Sequence, residues 1–163
     1  MNPLVHTVAG ILRLRAGPQD LPYSWTLTVV LVAGYLAMGI YTGQALGDEN
    51  AAATSLAVAS LQYAAIAVML FLRRHPERLA QTLAALAGTG IFIGTLLYLF
   101  LSQADPEKQQ PVLALAWFSL FFWSLVVDGH IYRHAMSITM PQGILVAVLL
   151  LAATFVLVEF TFR

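Results

Sequence analysis

The chain has 163 residues, no cysteine, a formal net charge of zero, and 60% hydrophobic against 10% charged residues. A mean hydropathy of +0.79, with charges far below the roughly 25% of soluble domains, excludes water as the main solvent. The missing cysteines exclude disulfides, thiolate metal sites, iron–sulfur clusters and cysteine nucleophiles, and the absence of a basic excess argues against nucleic acid as a partner.

Residues 1–16 are short and mixed. Leu4, Val8, Ile11 and Leu12 follow helical spacing, and Arg13 and Arg15 add positive charge. The pattern predicts an amphipathic helix lying in the membrane interface, near anionic lipid. Gly17, Pro18 and Pro22 then break the helix.

Ser24 is placed to cap the first span, over 25–46. At about 1.5 Å per residue this crosses a hydrocarbon core of roughly 30 Å. It is too long for the apolar region of a cleaved signal peptide. A tight acidic turn, Gly47 to Asn50, returns the chain into the second span, 51–72. Arg73, Arg74, His75, Pro76, Glu77 and Arg78 form the next turn, Pro76 suiting the opening of a new helix. The third span is 79–101. After a polar loop, where Asp105 can cap and Pro106 can open the next helix, the fourth span covers 111–134. Pro141 and Gly143 mark the break before the fifth span, 144–162. The expected fold is therefore an all-α integral membrane protein of five transmembrane helices in one domain, 1–163.

Charge orients these spans. Arg13, Arg15, Arg73, Arg74, Arg78 and Arg133 fall on one side, and Lys108 and Arg163 on the other. Basic residues in short loops stay inside, so the amino terminus is expected in the cytoplasm and the carboxyl terminus outside. A four-span alternative, with the fourth helix re-entrant, sorts the charges less well. Abundant alanine and leucine with short loops fit a bacterial inner (plasma) membrane.

Small residues suggest helix contacts. Gly39 and Gly43 form GxxxG in the first span, Gly90 and Gly94 repeat it in the third, and Ala84 and Gly88 extend the latter face. Such spacing permits close backbone approach, here favouring contact between spans one and three over a homodimer.

The densest ionisable cluster closes the fourth span: Asp128, His130, Tyr132, Arg133 and His134. An acidic group near the cytoplasmic boundary needs a partner or a wet cavity. Pairing with Arg74 or Arg78 is the expected solution. The alternatives are a proton or ligand site and plain exposure at the headgroups. His130 and His134 lie four apart on one helical face and are the candidates for a metal. Most metal sites need more ligands and the pattern lacks HExxH, so snorkelling interface histidines are expected, with no metal and no cofactor. Trp117, Phe118, Phe121, Phe122 and Trp123 surround the fourth span, and Gln62 sits inside the second, where an interhelical hydrogen bond is expected.

The start "NPLVH", the break "GPQDLP" and the five-span layout resemble the Yip superfamily (Ypt/Rab-interacting proteins) and its small bacterial relatives. The resemblance covers most of the chain and implies a non-enzymatic membrane adaptor that binds proteins or shapes membrane. The long soluble amino-terminal region of the eukaryotic members has no counterpart here, so neither GTPase binding nor any site residue is carried over.

No P-loop, GxSxG or HExxH motif is present. The expected function is a non-enzymatic accessory, assembly or adaptor subunit. Its basic cytoplasmic face, with Arg13, Arg15 and Arg73 added to the cluster above, would contact membrane lipid or other membrane subunits, or support a homo-oligomer. Two alternatives remain: a redox or proton-handling subunit using His130 and His134, and a small oligomeric channel or transporter using Asp128 and Gln62.

Overall fold

The computed structural model describes residues 3–105 and 108–162. The expected roles of Pro106 and Arg163, and the first two residues of the amino-terminal helix, lie outside the described residues. Six helices follow in order: α1 (Pro3–Leu12), α2 (Trp25–Ala45), α3 (Ala51–Leu72), α4 (Leu79–Leu101), α5 (Pro111–Met136) and α6 (Met140–Phe162), with short 3-10 turns at Pro18–Asp20 and Pro76–Arg78. α2 to α6 are each long and apolar enough to cross a membrane. Their outer faces carry exposed Val29, Val30, Phe71, Phe92, Phe122 and Phe155, side chains that water disfavours and lipid accepts.

Local chemistry sets the helix ends. Ser24 Oγ accepts from the Leu27 amide at 3.2 Å and caps α2. Pro76 opens the turn that leads into α4, and Pro111 stands at the first position of α5. α5 runs to Met136, two residues past the expected end, because Ser137 takes the left-handed conformation (φ 54°) only there. Met140 and Pro141 already belong to α6, correcting the expected break. The Thr139 amide donates to Gln142 Oε1 at 3.0 Å, so glutamine reaches back to satisfy the helix start. Leu14 and Arg74 share the left-handed geometry of Ser137, so the turns after α1, α3 and α5 use one device at one end of the bundle. At the opposite end Gly47 supplies the positive φ, +86°.

The five long helices close into a ring in the order α2–α4–α5–α6–α3 and back to α2. α4 is the most buried, through Ala80, Thr82, Ala84, Ala85, Ala87 and Gly88. Residues this small let α2 and α5 approach closely. Thr28 Oγ1 donates to the Ala80 carbonyl at 2.9 Å, pinning the start of α2 to the start of α4.

Spans one and three meet as expected, with Gly90 in the contact but without Gly39, Gly43 or Gly94. Gly39 and Gly43 face α3 and its entry: a methyl group on them would stand 3.2 Å from Ser55 Oγ and 2.8 Å from Ala51 Cβ. Gly94 faces nothing within 4 Å. The α2–α4 contact uses Gly34 against Ile91 and Gly90 against the Tyr35 ring. The tightest crossing joins Gly129 of α5 to Gly143 of α6, backbone against backbone.

The amino-terminal helix packs against the bundle. Ile11 is completely buried with Ala84, Ala85, Val127 and Ile131. Val8 packs on Gly88, and Leu4 lines one groove with Gly88, Ile91, Phe92 and Leu96. Helix α1 therefore runs alongside α4, antiparallel to it, and the groove between α4 and α5 is its seat.

Candidate functional site

Arg15, Arg133, His134 and Asp20 line one cleft, and Arg73 and Arg74 follow the end of α3 that leads into the Pro76 turn. With Arg13 these residues form the basic end of the bundle. Among the described residues Arg13, Arg15, Arg73, Arg74 and Arg133 are exposed and enter no side-chain hydrogen bond or ion pair.

Arg78 behaves differently. Its Nη1 donates to the carbonyls of His134 and Ala135, each at 3.1 Å, and to Ser137 Oγ at 2.9 Å. A cation thus sits on the unpaired carbonyls at the negative end of α5. The expected Asp128–Arg pair is therefore corrected. Arg78 is spent on the helix terminus, and Arg74 is exposed beyond the end of α3.

Asp128 lies about 12 Å before the end of α5, counting about 1.5 Å per residue, too deep for either arginine loop. It lines a partly open cavity of about 130 Å³ between the helices of the ring. The other polar lining residues are Tyr35 from α2, Gln62 and Tyr63 from α3, and Ser124 and Tyr132 from α5. Leu86 and Gly90 from α4, Phe121 and Leu125 from α5, and Ala147, Leu150 and Leu151 from α6 complete the wall. All five long helices contribute, each from roughly its middle third. No basic side chain lines the cavity.

The sequence placed Tyr132 on the basic face, yet it is 4% exposed and follows Asp128 by one helical turn into the same cavity. Gly90 makes room for Tyr35: a methyl group there would lie 2.7 Å from Tyr35 Cε2. Gln62 does what was expected, donating from Nε2 to Thr154 Oγ1 of α6 at 3.4 Å, and lines the cavity as well. The Ser124 hydroxyl donates to the Phe121 carbonyl at 2.6 Å. Tyr63 Oη is buried without a hydrogen-bond partner among the described residues. Leaving such a group unpaired costs about 1–3 kcal/mol, and it marks where an occupant would find a polar contact.

Tyr35 and Tyr63 escaped the sequence reading. The signal was present, since both stand near the centre of their spans, level with Asp128 when the helices are aligned on the basic end. Single tyrosines in apolar helices carry no pattern of their own, and only the ring closure brings them together.

One of the two histidines, His130, is also corrected. His130 is 5% exposed and does not snorkel. Its Nε2 lies 2.9 Å from the Ala16 carbonyl; a carbonyl only accepts, so Nε2 carries the proton. The His134 ring meets it edge-on with centroids 4.6 Å apart. The pair holds the chain after α1 against α5. Trp123 adds a second tie, its indole N–H donating to the Leu12 carbonyl at 3.2 Å.

Comparison with protein-family models, with curated proteins and with solved structures finds no match, so the geometry of this cavity carries the functional argument.

Proposed function

We propose that the chain is a small multi-pass membrane carrier that binds a polar solute at Asp128, within its helix ring. The observation that carries this reading is an aspartate inside a cavity built by all five long helices, with no basic side chain in the wall. An ionisable residue inside a membrane bundle is costly and is retained at substrate and ion paths. Gln62, the other residue of the channel-or-transporter alternative, lines the same cavity, which favours that alternative over the accessory-subunit reading. The histidine-based redox alternative loses support, because His130 Nε2 is taken by Ala16.

The test is flux. Purified protein is reconstituted in phosphatidylethanolamine–phosphatidylglycerol liposomes, and uptake of small solutes and protons is followed. Asp128→Asn should lower the wild-type flux at least tenfold, a change equivalent to about 1.4 kcal/mol, while near-native helicity is retained. Flux unchanged in Asp128→Asn overturns the reading.

A second reading rests on the basic end. Its unpaired arginines suit anionic headgroups or an acidic partner subunit on the cytoplasmic side of an inner membrane. Neutralising Arg13 and Arg15 together should weaken copurification of anionic lipid or of such a subunit without altering flux through the Asp128 site.

A further inference from the structure

Resting on the carrier reading, we infer that the occupant of the Asp128 cavity is a primary alkylammonium ion of no more than about six non-hydrogen atoms. Three features of the cavity lead to this.

The first is charge. A buried carboxylate without a cation is strongly disfavoured. The wall supplies none, and Arg78 is held at the end of α5 by three hydrogen bonds. A cationic occupant supplies what the protein omits.

The second is the balance of donors and acceptors. The Gln62 amide N–H is used on Thr154 and the Ser124 O–H on Phe121. The lone pairs that remain for an occupant are those of the Gln62 amide oxygen, the Ser124 hydroxyl and the Tyr63 hydroxyl, beside the carboxylate of Asp128, while the second Gln62 N–H and the tyrosine hydroxyls can also donate. The hydroxyls can turn to accept, so every polar side chain of the wall can receive a hydrogen bond. A primary ammonium brings three N–H donors; a quaternary ammonium brings none.

The third is size and polarity. About 130 Å³ is close to the roughly 150 Å³ engineered cavity that holds benzene. Beyond the polar cluster the wall is Leu86, Phe121, Leu125, Ala147 and Leu150, which suits a short alkyl tail. Tyrosine and phenylalanine rings beside a cation add cation–π attraction.

The test uses the full-length protein in nanodiscs, with binding read by thermal shift and by calorimetric titration. The probes are propylammonium chloride, tetramethylammonium chloride, sodium chloride and propanol. Propylammonium should bind saturably and raise the melting temperature. Tetramethylammonium and propanol should bind at least tenfold more weakly, and Asp128→Asn should lose the propylammonium response. Tyr63→Phe keeps the ring and removes only the unpaired oxygen; it should weaken propylammonium about threefold or more, covering the case in which Asp128→Asn does not fold.

Several results overturn the inference. Propanol binding as well as propylammonium means an apolar cavity. Preference for tetramethylammonium, or no effect of Tyr63→Phe, removes the donor argument. Sodium binding that displaces propylammonium and is lost in Asp128→Asn replaces the amine with an alkali cation, leaving the carrier reading intact. Proton flux that needs Asp128, without saturable binding of any probe, does the same with a proton. Binding and flux both indifferent to Asp128→Asn overturn the inference and the carrier reading together.

Discussion

Gly143 stands against the backbone carbonyl of Gly129, so that α6 crosses α5 with no side chain between them. A methyl group built on Gly129 would lie 2.7 Å from Ile144 Cγ1 and 2.8 Å from its amide nitrogen. Backbone atoms on both sides leave nothing flexible to move aside. Asp128 is the neighbour of Gly129, and Ala147 lies one turn beyond Gly143, so this crossing sets the width of the polar cavity.

Gly143→Ala should therefore separate the two helices. Overpacking of a tight contact costs about 1–3 kcal/mol, and a loss of at least about 2 kcal/mol is expected here, since main chain must shift. Thermal unfolding in mild detergent measures it. A Gly143→Ala protein as stable as the parent would show that α5 and α6 do not cross this closely.

Gly90 and Gly94 make a paired test on one helix. Gly90→Ala places a methyl group against the Tyr35 ring in the cavity wall, which must shift, and ligand binding should fall with a modest loss of stability. Gly94→Ala meets no atom within 4 Å and gains helix propensity, so it should be neutral or stabilising by up to about 1 kcal/mol. Equal destabilisation by both would restore the simple GxxxG interpretation.

His130→Ala removes the hydrogen bond to the Ala16 carbonyl and the ring that fills the space behind it. The expected cost is about 2 kcal/mol. Its effect should be local: amide hydrogen exchange over Pro3–Ala16 should accelerate while α5 and α6 stay protected. Uniform acceleration through the bundle would mean that His130 supports the whole core instead of the amino-terminal segment.

The orientation is open to direct measurement because the chain contains no cysteine. Single cysteines at Asp48 and at Arg74 lie at opposite ends of the bundle. An impermeant maleimide added to intact cells should label Asp48→Cys at once and Arg74→Cys only after permeabilisation. The reverse pattern would place the arginine-rich end outside and remove the cytoplasmic partner reading.

The span positions and the grouping of the arginines were legible in the sequence, because hydropathy, capping residues and charge are local properties that act before any helix meets another. Ser24, Pro76 and the acidic turn after Leu46 mark their helix ends wherever the helices go. Span length also showed that Asp128 needed a partner or a cavity. Which of the two it has is a matter of which helix faces whom. Hydropathy is nearly the same on all sides of these spans, and a helix without an apolar stripe does not declare its inner face. The closure of α2 to α6 into a ring decides that Asp128 meets Tyr35, Gln62 and Tyr63 and that Arg78 goes to the α5 carbonyls. It also decides that Gly129 with Gly143, and not the GxxxG pairs, makes the closest crossing, and that α1 settles into the groove between α4 and α5. Composition determined that five helices are long and apolar enough to cross a membrane; packing between helices of uniform polarity determined the site.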